Sequence, residues 1–179
     1  MSLLPTILKY GFVAGVVVGA ALLGVSLAYD GQPPPDWGMA AGFASMLVAL
    51  SAVFVAIKRH RDVAGGGVTG FWPAFGLGLG ISLVASLVYV ASWELSLVLV
   101  DADVAQVFAQ QMVARAEARG LAGAALADVV RQAGEFEAMY RNPLYRLPMT
   151  FAEIFPVGML VSLVSAAVLR NPRMLPARG

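Results

Sequence analysis

The sequence of 179 residues contains no cysteine and a single histidine, His60. Without thiols there is no disulfide, no thiolate nucleophile and no thiolate metal site. One histidine supplies neither a metal-binding pair nor a nucleophile–base relay with a second imidazole. Charge is also scarce: 13% of residues are charged, against about 25% in a soluble domain. Twelve Lys and Arg against 11 Asp and Glu leave a net charge of +1, so no broad field draws in a polyanion and no nucleic-acid partner is expected. What fills the chain instead is apolar: 59% hydrophobic residues and a mean hydropathy of +0.77. These values exclude disorder, a nucleic-acid-binding module and an ordinary soluble enzyme.

The apolar excess is concentrated in four runs. Gly11 to Tyr29 (19 residues) and Trp37 to Ile57 (21) carry no charge; Phe71 to Val100 (30) carries Glu94, and Pro148 to Leu169 (22) carries Glu153. A helix needs roughly 20 apolar residues to cross a hydrocarbon core of about 30 Å. Inside lipid every backbone amide must be bonded within its own segment, so helix is the natural conformation. A soluble helix would keep a polar face, and the first two runs have none. The expected fold is all-α and integral to the membrane: a four-transmembrane-helix bundle with an extramembrane helical insertion over 101–147. The third run is too long for one perpendicular crossing and, with no Gly or Pro between Ile81 and Arg119, is expected to continue as helix into that insertion. Ser26-Leu27-Ala28 offers the small residues of a signal-peptide cleavage site, but the apolar run exceeds the usual h-region of about 7–15 residues, so an uncleaved first span is expected.

Sidedness follows from basic residues. The segment after the first run, Asp30 to Asp36, has two acids and no base; the segment after the second opens Lys58-Arg59-His60-Arg61. Short Lys/Arg-rich loops stay cytoplasmic. Both termini are therefore expected inside, with Lys9, Lys58, Arg59, Arg61, Arg170, Arg173 and Arg178 on that side, and Arg115, Arg119, Arg131, Arg141 and Arg146 outside. Pro33, Pro34 and Pro35 favour an extended outer loop. Gly65 to Gly70 lacks the Gly-Lys-Ser/Thr ending of a phosphate loop and reads as a turn.

The insertion reads as two amphipathic helices. Val104, Val107, Phe108, Met112 and Val113 mark one face, and Leu126, Val129, Val130, Ala133, Phe136 and Tyr140 the other, separated by Gly120-Leu121-Ala122-Gly123. Glu137 and Arg141 are spaced for an i, i+4 pair, and Asn142-Pro143 ends the second helix. Such a hairpin either covers the outer mouth of the bundle or offers a surface to a membrane protein partner or to lipid headgroups.

Small residues recur every four positions: Gly11, Gly15 and Gly19; Gly38 and Gly42; Gly76 and Gly80; then Gly158, Ser162 and Ala166. Such stripes let helix backbones approach in lipid. They are expected to pack within one chain, with Gly11-Gly15-Gly19 the best seam for a homodimer. Glu94 and Glu153 are the ionisable groups inside the runs, where an acid costs about 2.5–3.5 kcal/mol on insertion scales. Both are expected toward the outer side. If they meet, they form a candidate proton or cation site, helped by Pro156, which frees the Ala152 carbonyl. Otherwise each reaches the interface or pairs with Arg141 or Arg146. Tyr89, Ser92 and Ser96 are available as hydrogen-bond partners.

Thr150-Phe151-Ala152-Glu153-Ile154-Phe155-Pro156-Val157-Gly158, continuing through Ser162-Leu163-Val164-Ser165-Ala166 to Arg170, resembles the C-terminal helix of the bacterial membrane proteins catalogued as domain of unknown function 4199. Lys9-Tyr10-Gly11 with Ala14-Gly15 resembles the start of that family. Phe71, Ala74-Phe75, Gly78 and Ile81 to Ser86, with Tyr89, resemble its third helix. The resemblance implies four spans in a bacterial inner membrane and carries no catalytic residues. The residues themselves favour a non-enzymatic accessory or interaction protein with no cofactor or metal. A small oligomeric transporter, proton- or cation-coupled through Glu94 and Glu153, is the alternative.

Overall fold

The computed structural model describes residues 2–32, 34 and 37–176. Pro33, Pro35 and Asp36 of the segment expected as an outer loop, and Arg178, lie outside the described residues. Among the described residues there are six helices and no strand: α1 (Leu3–Ala28), α2 (Trp37–Ala64), α3 (Phe71–Leu99), α4 (Val104–Ala118), α5 (Gly123–Tyr140) and α6 (Pro143–Leu169). The helices α1, α2, α3 and α6 are long and apolar enough to cross a membrane, and α4–α5 form the expected hairpin between the third and fourth of them.

The boundaries shift for identifiable reasons. Helix α1 starts at Leu3 rather than Gly11, because Lys9 and Tyr10 are compatible with helix outside the hydrocarbon. Helix α2 runs on to Ala64 and takes Lys58, Arg59 and Arg61 with it, so these residues are not in a loop. Helix α6 begins at Pro143 rather than Pro148: the Asn142 side chain accepts a hydrogen bond from the Leu144 N–H at 3.0 Å, and proline at the first helical position has no N–H to leave unpaired. The expected continuation of the third helix into the insertion does not occur. Helix α3 ends at Leu99, Val100 is extended, and Asp103 caps α4 by accepting from the Gln106 N–H at 3.3 Å. Aspartate competes for backbone donors and starts helices as effectively as Gly or Pro ends them. The turn between α4 and α5 falls where the glycines placed it, with Gly120 at φ +78°, a left-handed conformation that glycine adopts without steric cost.

Side-by-side residues give the topology. Gly11, Gly15 and Gly19 of α1 lie against Val84, Val88 and Ser92 of α3, so these helices run parallel. Gly78 meets Ser162, Ser82 meets Gly158, and Glu94 meets Arg146, so α3 and α6 are antiparallel. Leu50 lies by Gly158 and Arg61 by Leu169, so α2 runs with α6. The start of α1, the α2–α3 turn and the end of α6 therefore share one end of the structure, and the hairpin occupies the other.

The core between the four long helices is built from Val18, Leu50, Val53, Ile57, Ile81, Ala85, Ile154 and Leu169, all essentially inaccessible. Its polar members are serines. Ser82 Oγ and Ser162 Oγ are 3.1 Å apart, and Ser82, Ser86 and Ser162 each donate to the carbonyl four residues back. That pattern satisfies a hydroxyl without water and keeps the helices close. Large apolar residues face outward instead: Leu4 is 65% exposed, Val48 68% and Trp72 75%. A lipid-facing surface of this kind is the reverse of a soluble protein's.

The small-residue stripes divide into two kinds. A Cβ on Gly11 would stand 2.6 Å from the Val84 Cβ, and one on Gly15 2.5 Å from the Val88 Cβ. The run expected as the best homodimer seam is thus spent on the α1–α3 contact within one chain. Gly80 admits Ile7, Gly158 admits Ser82 and Gly38 faces Pro34, whereas Gly42 and Gly76 have nothing within 4 Å of a built Cβ.

Candidate functional site

A group of charged and aromatic residues from α3, α6 and the hairpin converges where the hairpin joins α3 and α6. Glu94, near the end of α3, meets Arg146, in the first turn of α6, through two bonds: Arg146 Nε donates to Oε1 at 2.8 Å and Nη2 to Oε2 at 2.6 Å. This fork-to-fork geometry is the strong form of an ion pair. The remaining terminal nitrogen of Arg146, Nη1, donates to the Tyr140 carbonyl at 3.2 Å, which ties the last residue of α5 to the same group. Trp93, one residue before Glu94, donates its indole N–H to the Tyr140 hydroxyl at 2.9 Å. Phe108 of α4 meets the Tyr140 ring edge-on at 5.7 Å between centroids, Phe136 stacks on it at 5.4 Å, and the Arg146 guanidinium lies 5.9 Å from its centre.

Tyr140 is therefore the point where α3, α4, α5 and α6 meet. Burial pushes its hydroxyl well above the usual phenol range, so it stays a neutral donor and acceptor. Around it, Arg141 pairs with Asp103 at 2.5 Å and with Glu137 at 2.8 Å, the latter being the i, i+4 pair the spacing predicts. The bond to Glu137 and the charge of Asp103 raise the Arg141 guanidinium above its ordinary value. The Asp101 N–H donates to the Asp30 carboxylate at 3.2 Å, which adds the end of α1 to the assembly. An open hollow of about 340 Å³ lies beside Tyr140, lined by Asp103, Val104, Arg141 and Arg146 among others. Each of the three charged groups on its wall already has a partner of opposite charge.

Glu153 has a different neighbour. It accepts a hydrogen bond from the Tyr89 hydroxyl at 3.3 Å, while its residue as a whole is exposed. No hydrogen bond links it to Glu94. Of the two arrangements open to the acids, Glu94 takes the arginine pairing and Glu153 has no salt bridge among the described residues. Ser92 and Ser96 donate to backbone carbonyls instead. Among the described residues no group of three or more His, Asp or Glu is placed to hold a metal ion.

At the opposite end, Arg61 is fully buried. Its Nη1 donates to the carbonyls of Leu169 (3.4 Å) and Met174 (2.9 Å), its Nη2 to that of Leu175 (2.5 Å), and its Nε to Asp62 at 2.8 Å. Lys58 also binds Asp62, at 2.6 Å. What reads as a basic loop is thus largely an internal fastening, a cation at a helix C-terminus that collects carbonyls left without intrahelical donors. Sequence periodicity gave no hint of this, because a Lys/Arg cluster just beyond an apolar run looks the same whether it faces water or a neighbouring helix end. The Tyr140 hub was equally hidden, since its members are spread over four elements.

Four spanning helices with a helical hairpin fastened over one end define a polytopic α-helical membrane protein. The family model described as protein of unknown function (DUF4199) matches residues 9–171, and the chain belongs to that family. No curated protein and no solved structure matches the chain.

Proposed function

We propose that the protein is a non-enzymatic accessory protein of the bacterial inner membrane, with both termini cytoplasmic, whose hairpin is held at the extracytoplasmic face for a membrane protein partner to bind. The observation that carries this reading is the Tyr140 hub. A hairpin that merely connected two spans would not need a bidentate ion pair, an indole–phenol bond and two ring contacts to fix its orientation. A fixed orientation is what a recognition surface requires, because less ordering is left to occur on binding. The outward faces of α4 and α5 mix Arg115, Glu117, Arg119, Asp128, Arg131 and Glu135 with exposed Val130 and Met139, as protein-binding surfaces do at their polar rims. The basic residues of the other end, Lys9, Lys58, Arg59, Arg61, Arg170 and Arg173, favour a cytoplasmic assignment for that end. The transporter alternative is weaker, because Glu94 is committed to Arg146.

A sequence without cysteine makes the test clean. Cysteines introduced at Ala125 in the hairpin and at Val68 in the α2–α3 turn should behave oppositely toward an impermeant maleimide on intact spheroplasts: Ala125→Cys labels at once and Val68→Cys only after lysis. A photo-crosslinker at Val130 should then give a discrete protein adduct in native membranes that a crosslinker at lipid-facing Leu163 does not give. Labelling of the turn from outside, or identical products from Val130 and Leu163, would refute the proposal.

A further inference from the structure

From the surroundings of Glu153 we infer that the outward face of α6 is a docking site, within the membrane, for a transmembrane helix of another protein that carries an arginine or lysine. Glu153 lies seven residues beyond Arg146 along α6, which places it about 10 Å deeper at 1.5 Å per residue. It is exposed, and so are Ala152, Pro156 and Leu160 around it. This acid therefore sits on the surface that lipid or a neighbouring helix covers. Tyr89 donates to Oε2, the one side-chain hydrogen bond the carboxyl of Glu153 makes among the described residues. Pro156 adds a second acceptor to the same surface. Standing inside the helix without an N–H, it cannot give the Ala152 carbonyl its usual i+4 hydrogen bond. Two acceptors side by side on an apolar face call for a donor that hydrocarbon does not supply.

The charges of this chain show what kind of helix brings that donor. Lys9, Lys58, Arg59, Arg61, Arg170 and Arg173 lie at the far end; Arg115, Arg119, Arg131 and Arg141 belong to the hairpin region; Arg146 is bound to Glu94 and the Tyr140 carbonyl. None of these stands at the depth of Glu153. A second copy packed on this face about an axis normal to the membrane would set Glu153 against Glu153, a pair that repels while both are charged and that brings no cation of its own. The complement is a different chain whose spanning helix presents a cation with spare donors, and an arginine fork can serve the carboxylate and the carbonyl together.

The inference rests on the accessory reading and names an intramembrane part of the partner, but it uses a surface remote from the hairpin, so either test can fail alone. The full-length protein, labelled on an introduced hairpin cysteine, is reconstituted in phosphatidylcholine vesicles with a synthetic Leu/Ala transmembrane peptide carrying an acceptor dye. The peptide has one Arg about 10 Å below its interfacial Trp, or Leu or Glu at that position. Energy transfer should report association in the order Arg, then Leu, then Glu. Glu153→Gln should weaken the Arg peptide about tenfold, or about 1.4 kcal/mol, with no effect on the Leu peptide. Because the three peptides are ranked against the unmodified protein, the result does not depend on how the variant folds. Equal association of all three peptides, including none, overturns the inference.

Discussion

Breaking the Glu94–Arg146 pair should loosen the hairpin by an amount the geometry fixes. The side chain of Arg146 is 14% exposed and that of Glu94 32%. Removing one partner of a fully buried pair costs about 3–5 kcal/mol, whereas an exposed pair contributes about 0–1. A half-shielded bidentate pair belongs between these limits, at about 2 kcal/mol once solvent screening of the glutamate is discounted. Arg146→Met also removes the donor to the Tyr140 carbonyl. The Trp93–Tyr140 bond and the ring contacts remain, so the hairpin should open more often without detaching. A 2 kcal/mol change corresponds to about 30-fold in the opening equilibrium. Hydrogen exchange followed by mass spectrometry on 123–140 reads this directly, since protected amides exchange through such openings. Glu94→Gln should act in the same direction. The double variant should cost less than the sum of the two, by about 1–2 kcal/mol, because the side chains touch. Arg141→Met, at a surface-exposed pair, should change exchange much less. If Arg146→Met accelerates exchange in α5 no more than Arg141→Met does, or if the two single variants are strictly additive, the account of the latch is wrong.

Two further outcomes follow from the packing. Gly15→Ala places a methyl 2.5 Å from the Val88 Cβ and 3.0 Å from the Ala85 carbonyl oxygen, so the α1–α3 seam must widen. The detergent-solubilised protein should lose about 1–3 kcal/mol, while Gly42→Ala, with open space around it, should be neutral or gain up to about 1 kcal/mol from helix propensity; equal thermal midpoints for the two variants would count against the seam. Arg61→Met strips donors from the Leu169, Met174 and Leu175 carbonyls, so residues 170–176 should become sensitive to limited proteolysis at a cost of about 3 kcal/mol, and Arg61→Lys should rescue little because one ammonium cannot reproduce the fork.

The spans were legible because lipid imposes a composition requirement that acts residue by residue, and a run such as 11–29 meets it whatever its neighbours do. The amphipathic hairpin and the Glu137–Arg141 pair were legible because helical spacing is local. The break at Val100 to Asp103 is not legible from glycine or proline, because it is made by an extended Val100 and by Asp103 capping α4. The start of α6 at Pro143 was hidden because the segment from Pro143 to Leu147 is helical without being a uniform apolar run.

The amino-acid sequence by itself determined that the chain enters lipid four times, that a helical insertion separates the third and fourth crossings, and that two acids lie within spans. These are properties of single segments against a solvent. Only the tertiary structure decided which acid meets an arginine, that Arg61 turns inward to gather a helix end, and that Gly11, Gly15 and Gly19 are consumed within one chain. Those outcomes depend on the rotation and depth of one helix relative to another, which are set by packing between segments far apart in sequence.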